Sequence, residues 1–229
     1  SGLASRRKCD NLIKDGLIKI NGKKILDFSY QVKSSDIVHY KNKLIEFISE
    51  KKYYMLYKPR GYICTYNDPH NRKNIYTLVP DNFRLFSIGR LDYNTTGLLL
   101  LTNDGNFSNF LCHPKYKIKK KYAVSSKSKL SKSAIKDIKN GILLDHKDKV
   151  TAEIFYKGYD EGKYIWDVHL FEGKNREIKR IFAFYDNEVT SLHRYEFAGL
   201  RLNNIKEGKY KLIKKNIIES IKVKYGYKK

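Results

Sequence analysis

The apolar positions of this chain come in short runs between turn residues, and one run stands apart. Leu98-Leu99-Leu100-Leu101 is wholly apolar and is closed by Asn103-Asp104-Gly105, the pattern of a strand buried on both faces. Tyr53 to Tyr57 reads as a second strand, broken by the Pro and Gly of Lys58-Pro59-Arg60-Gly61, which reads as an ordinary turn. Thr151 to Tyr156 and Tyr164 to Leu170 alternate as a hairpin around Gly158 to Gly162, and shorter strands are expected within 188–202 and 208–212. Helical spacing predicts four helices. The first runs from Ala4 to Asp15, with Gly16 as its stop, and the second from Asn106 to His113, ended by Pro114. The third spans Ser131 to Asn140 with Gly141 as its cap, and the fourth carries Ile178, Ile181, Phe182 and Tyr185 on one face. Ile75 to Leu78 fits a short helical turn. Leu17 to Ile20 alternates ahead of Asn21-Gly22, a strong hairpin signal, and Val32 and Ile37-Val38 suggest further short strands. The lysine-rich segment after Leu212 is expected to be a mobile tail.

This order of elements divides the chain. Residues 1–46 read as a small helix-and-hairpin module, Lys41 to Lys52 as a charged connector, and 52–229 as a larger domain. No internal repeat is visible.

Charge narrows the class. Of 229 residues, 47 are Lys or Arg against 24 Asp or Glu, a net +23 spread along the whole chain, while the 41% hydrophobic fraction suffices for a real core. Such an excess implies a polyanionic partner, nucleic acid first and an acidic membrane surface second. No apolar run approaches a membrane span, no signal-peptide pattern opens the chain, and no amphipathic helix shows a large apolar face, so no membrane partner is expected. Cys9, Cys64 and Cys112 are few and far apart, which points to a reducing compartment without a disulfide framework. The histidines show no metal-ligand spacing, and no glycine-rich phosphate loop is present, so neither a metal nor a nucleotide cofactor is expected.

Two places carry candidate chemistry. Arg90 and Asp92 sit two residues apart in Gly89-Arg90-Leu91-Asp92-Tyr93-Asn94-Thr95-Thr96-Gly97, just before the buried run. Asp92 is either a turn residue or a carboxylate whose ionisation the core controls. Lys174, Arg176, Lys179 and Arg180 crowd the start of the fourth helix, where cations oppose the helix dipole. They call for an anion, either phosphate or a protein carboxylate, unless they form a solvated face. In the small module, Arg6 and Arg7 decorate the first helix, as a solvated face or as a grip on phosphates.

The wording of Gly89 to Gly105 resembles the catalytic motif of the RsuA/RluB family of ribosomal RNA pseudouridine synthases. Lys58-Pro59-Arg60-Gly61 looks like that family's first motif, Lys120-Lys121-Tyr122-Ala123-Val124 like the segment carrying its active-site Tyr, Glu172 to Arg180 like its third motif, and Leu192-His193-Arg194 through Gly199-Leu200 like its last. Four motifs in order are far more specific than any one. The module 1–46 is similar to an S4-type RNA-binding domain through Ala4-Ser5-Arg6-Arg7 and Ile20-Asn21-Gly22-Lys23. The usual first helix of that domain is missing ahead of Ser1, so a cut or processed N-terminus and a reduced core are expected.

The resemblance implies an α+β fold: a mixed, mostly antiparallel sheet with flanking helices and a central catalytic cleft, plus the small α/β module. It implies isomerisation of a uridine in ribosomal RNA, with Asp92 as nucleophile, Tyr122 stacking on the extruded base and Lys179 paired with Asp92. An adjacent cation favours the ionised carboxylate. Arg90 would fill the vacated stack, Leu200 would line the pocket, and Arg6, Arg7, Lys174, Arg176 and Arg180 would hold RNA. The reaction is redox-neutral and needs no cofactor. Asn175-Arg176-Glu177 leans toward large-subunit RNA. A monomer is expected, in the cytoplasm if bacterial and in an organellar matrix otherwise. The competing reading is an RNA-binding or ribosome-assembly factor that kept the fold without the activity.

Overall fold

The structure, a computed structural model, describes residues 1–46, 50–145 and 148–227. The chain divides into two compact units, one of residues 1–51 with 82–84 and one of 52–81 with 85–229.

In the smaller unit, α1 (Arg6–Lys14) starts at Ser5, whose hydroxyl accepts from the Lys8 N–H at 3.3 Å, a normal N-cap. Strands β1 (Ile18–Ile20) and β2 (Lys23–Lys24) pair across Asn21-Gly22, where both residues have positive φ, 50° and 82°, as a two-residue hairpin turn requires. Strands β3 (Val38–Tyr40) and β4 (Lys43–Leu44) repeat the device across Lys41-Asn42, giving the order β2-β1-β3-β4. Val32 is exposed and lies in no strand. The expected connector from Lys41 to Lys52 in fact contributes β4, and its residues 47–49 lie outside the described residues.

The larger unit is built on one mixed sheet. Its elements are β5 (Tyr53–Lys58), β6 (Phe86–Ile88), β7 (Thr96–Thr102), α2 (Gly105–Cys112), β8 (Lys120–Ser126), α3 (Lys132–Asn140), β9 (Ile142–Leu144), β10 (Asp148–Val150), β11 (Glu153–Asp160), β12 (Lys163–Leu170), α4 (Glu177–Ala183), β13 (Val189–Phe197), β14 (Leu200–Arg201), β15 (Tyr210–Leu212) and α5 (Lys215–Lys224). The sheet runs β11-β12-β8-β13-β7-β5-β15, with β14 on β13 and β6 on β7, and β9–β10 pair separately. The β13–β7 pair is parallel and the other pairs are antiparallel. Strand β7 is central, since β5 covers one of its edges and β6 and β13 share the other. Leu98 to Leu101 are accordingly buried on both faces at 0–1% exposure, each stabilising the fold by about 1.5–3 kcal/mol.

Three local outcomes refine the pattern reading. The hairpin strands run on to Asp160 and resume at Lys163, so Glu161-Gly162 alone makes the turn, with a bulge between Tyr156 and Gly158. The third predicted helix is α3, capped by Ser131 and Gly141. The lysine-rich segment after Leu212, expected as a mobile tail, contains α5, with Ile218 and Ile221 buried against the core that holds Phe107 and Phe110. Two isoleucines three apart anchor one face of α5, and Lys222 lays its ammonium over the Phe107 ring at 5.9 Å beside them.

Candidate active site

The loop between β6 and β7 carries Arg90 and Asp92 over the end of β5. Lys58, the last residue of that strand, is wholly buried. Its Nζ donates to three carbonyls: Pro59 at 3.0 Å, Tyr93 at 3.4 Å and Thr95 at 2.9 Å. The Gly61 N–H donates to the Tyr93 carbonyl at 2.9 Å, and the Cys64 thiol donates to that of Leu91 at 3.3 Å. Lys58-Pro59-Arg60-Gly61 is thus more than a turn, because Lys58 and Gly61 hold the backbone that follows Asp92, while Cys64 holds that of Leu91 before it. Burial lowers the Lys58 pKa to about 8.

Opposite this loop, α4 starts at Glu177 after Arg176, which takes a left-handed φ of 47°. Lys179, in its first turn, places Nζ 3.3 Å from Asp92 Oδ2. Arg180 turns to Asp145 and Asp148. The cations that oppose the helix dipole therefore meet protein carboxylates.

The cavity beside Asp92 has a volume of about 310 Å3, at the small end of the usual ligand-pocket range of roughly 300–1,000 Å3. Strand alternation selects its walls. On β8, Lys120 and Tyr122 share the inward face, and on β13, Leu192 and Arg194 do the same. Tyr122 is buried, and its hydroxyl accepts from Arg194 Nη1 at 3.4 Å. Arg194 is 2% exposed and donates from Nε to the Leu98 carbonyl at 2.8 Å. Lys120 donates to the Ile118 carbonyl at 3.0 Å, and burial together with the nearby Arg194 charge lowers its pKa to about 8. Glu177 accepts from the Lys174 N–H at 2.8 Å, and burial, aided by the adjacent Glu172 carboxyl, raises its pKa to about 7. Thr95 Oγ1, Glu177 Oε1 and Arg194 Nη2 are buried without a hydrogen-bond partner among the described residues, and all three residues line this cavity. Buried orphans of this kind are rare and mark a place built for polar contacts.

Parallel pairing brings Arg194 beside Gly97. A side chain at Gly97 is impossible there, since a Cβ would lie 2.3 Å from the Arg194 carbonyl oxygen and φ is +112°. The glycine in the motif exists for this close approach.

A family model described as RNA pseudouridylate synthase matches residues 52–184, more than half of the chain, and an S4 domain model matches residues 1–38. The chain belongs to the RNA pseudouridylate synthase family. It is 38% identical over 213 residues to ribosomal large subunit pseudouridine synthase B of Bacillus subtilis (strain 168), covering 91% of this chain and 86% of that protein. It is 31% identical to ribosomal small subunit pseudouridine synthase A of Haemophilus influenzae, covering 95% and 94%. A solved pseudouridylate synthase structure superposes with a TM-score of 0.69 at 30% identity, covering 95% of this chain and 94% of that one. The expected α+β fold is the one observed, and the chain is an RNA pseudouridine synthase, an isomerase.

In this pseudouridylate synthase the expected residues fall into three groups. Asp92, Tyr122, Arg90, Lys174 and Arg176 all line the cavity, and Lys179 reaches its rim through Asp92. Arg6 and Arg7 are exposed on α1 of the smaller unit. Leu200 and Arg180 do not line the cavity. Leu200 packs against the core beside α2 and α5, because the turn at Ala198-Gly199 folds β14 back, and Phe197 and Leu192 take the cavity wall instead. Arg180 is held by two aspartates, so its charge is already neutralised. Lys58, Thr95, Lys120, Glu177 and Arg194 escaped the sequence reading. For Lys120 a signal existed, since it sits two positions from Tyr122 and so shares its strand face. No helix among the described residues is long and apolar enough to cross a membrane.

Proposed function

We propose that this enzyme converts one uridine of ribosomal RNA to pseudouridine, with Asp92 as nucleophile and without a cofactor. The observation that carries the reading is the Asp92–Lys179 pair, 3.3 Å apart, beside a base-sized cavity walled by Tyr122. The C1′–N1 bond breaks, the uracil turns, and a C5–C1′ bond forms. C5 gives up a proton and N1 gains one, so atoms balance and no electrons are transferred. Asp92 holds the reacting nucleoside covalently in between. Tyr122 stacks on the base and offers a hydroxyl for the proton traffic. Arg90, exposed at the mouth, fills the gap left in the RNA stack. Lys174 and Arg176 on the rim contact phosphates.

Residues 1–46 form the RNA grip, with Arg6 and Arg7 along the phosphates, and 52–229 form the catalytic domain. In this reading the enzyme acts as a monomer. Higher identity to the large-subunit enzyme than to the small-subunit one favours large-subunit RNA as substrate and bacterial cytoplasm as the setting. The test is to map pseudouridines in ribosomal RNA with and without the gene, and to repeat the mapping with Asp92→Asn. The variant is expected to leave one uridine unmodified while the protein still folds and binds RNA. Turnover near the wild-type rate would remove Asp92 from the role.

A further inference from the structure

Trp166 on β12 is buried under Phe182 of α4, their ring centroids 6.2 Å apart. The same face of the hairpin then runs past the helices and stays uncovered. Tyr156 lies opposite Trp166, and the cross-strand pair Tyr159 and Tyr164 lies beyond it. Tyr156 is 43% and Tyr159 61% exposed. The rings touch in series, with Tyr156 5.2 Å from Trp166 and 6.5 Å from Tyr164, and Tyr159 4.8 Å from Tyr164. Lys129 holds its Nζ 4.6 Å above the Tyr156 ring, and Lys157 and Lys163 are exposed alongside. Aromatic area left in water contributes little to folding, so a contiguous uncovered patch points to a binding role.

A groove leads from the cavity toward this patch. Arg176 lines both the cavity and a shallow groove of about 480 Å3 that passes Asn94 and Lys179 to Asn187 and Glu188. There the Ser128 N–H donates to Asn187 at 3.0 Å and Lys127 pairs with Glu188 at 2.6 Å, one turn of chain from Lys129. Along β12, Tyr164 lies six residues from cavity-lining Leu170, about 20 Å at ~3.3 Å per residue. That is the length of about six stacked nucleotides at ~3.4 Å each.

We infer that Tyr156, Tyr159 and Tyr164, with Lys129, form a stacking platform for unpaired bases of the substrate RNA, reached from the catalytic cavity along this groove. The inference rests on the RNA reading above. The occupant follows from chemistry. The chain carries +23, Lys129 sits over the Tyr156 ring with Lys157 and Lys163 exposed nearby, and exposed rings beside a cation suit the π-face of any base. Asp160 and Glu161 at the hairpin turn keep the far end free of phosphates.

The test compares wild type, Tyr156→Ala/Tyr159→Ala and Tyr159→Phe by fluorescence titration with two probes, a labelled 12-nucleotide oligoadenylate and a blunt 12-base-pair RNA duplex. The double variant is expected to lose about 10-fold or more in affinity for the single strand, since stacking on aromatic rings is worth roughly 5- to 100-fold per base. It should lose less than about 2-fold for the duplex, which is held through phosphates. Tyr159→Phe keeps the ring and should bind both probes as wild type does. Equal affinity of the double variant and wild type for the oligoadenylate would overturn the platform, and so would equal losses on both probes. Wild-type pseudouridine formation, assayed on the same preparations, separates the two readings: activity with no platform effect rejects only the platform, and inactivity rejects the RNA-isomerase reading itself.

Discussion

Lys179 and Asp92 are each partly open to water, with side chains 21% and 36% exposed, so the pair acts less through stability than through placement. Lys179→Met should lower turnover at least about 100-fold while the melting temperature changes little. Lys179→Arg should recover part of the rate, since it keeps the charge on a different geometry. Single-turnover kinetics on modified-free ribosomal RNA provide the check, and a Met variant as fast as wild type would contradict the pairing. Glu177 works differently, because burial raises its pKa above that of the unfolded chain. The folded protein then binds the proton more tightly, so stability is greatest below the ordinary carboxylate range. It declines as pH rises toward about 7, and levels off above. Glu177→Gln keeps the neutral shape and the acceptor for the Lys174 N–H. It should remove that decline and gain about 1–3 kcal/mol over wild type at pH 8. Urea unfolding at pH 5 and pH 8 measures it, and identical pH slopes for the two proteins would refute the assignment.

At the level of elements, the site depends on the parallel contact of β7 with β13. Gly97 allows the strands to approach, and Arg194 uses that approach to reach the Leu98 carbonyl and the Tyr122 hydroxyl. Gly97→Ala must push the strands apart as well as force a left-handed φ on alanine. It should cost about 3 kcal/mol or more and depress activity together with stability. A urea midpoint equal to that of wild type would show that the contact yields. The clamp from Lys58 belongs to the same scale, since one ammonium at the end of β5 ties three carbonyls of two segments and so holds the loop of Asp92.

At the scale of the whole molecule, 47 cationic residues against 24 acidic ones make RNA association electrostatic. Ion pairs, as at Arg180 and Lys179, use one cation per carboxylate or fewer, so the net +23 remains. If several phosphates are neutralised, affinity should fall about 100-fold or more between ~50 and 200 mM salt. A flat response in a filter-binding titration would mean that the charge does not grip RNA. This term adds to the platform's stacking term, which salt screens much less, so the two can be measured apart.

The linear sequence by itself determined part of the set that gathers around Asp92. Asp92, Tyr122 and Lys179 sit in short words whose order survives without any knowledge of contacts, and the leucine run and helix caps follow from local periodicity. Only the tertiary structure decided which charges are buried. Lys58, Lys120, Glu177 and Arg194 carry no local sign of burial, and Lys58 and Arg194 meet partners far away in sequence, 37 positions on at Thr95 and 96 positions back at Leu98. Periodicity says which face a residue occupies and is silent on what covers that face. The same gap explains Leu200, whose turn carries it into the core, and α5, whose two anchoring isoleucines are hidden among lysines until Phe107 and Phe110 stand opposite them.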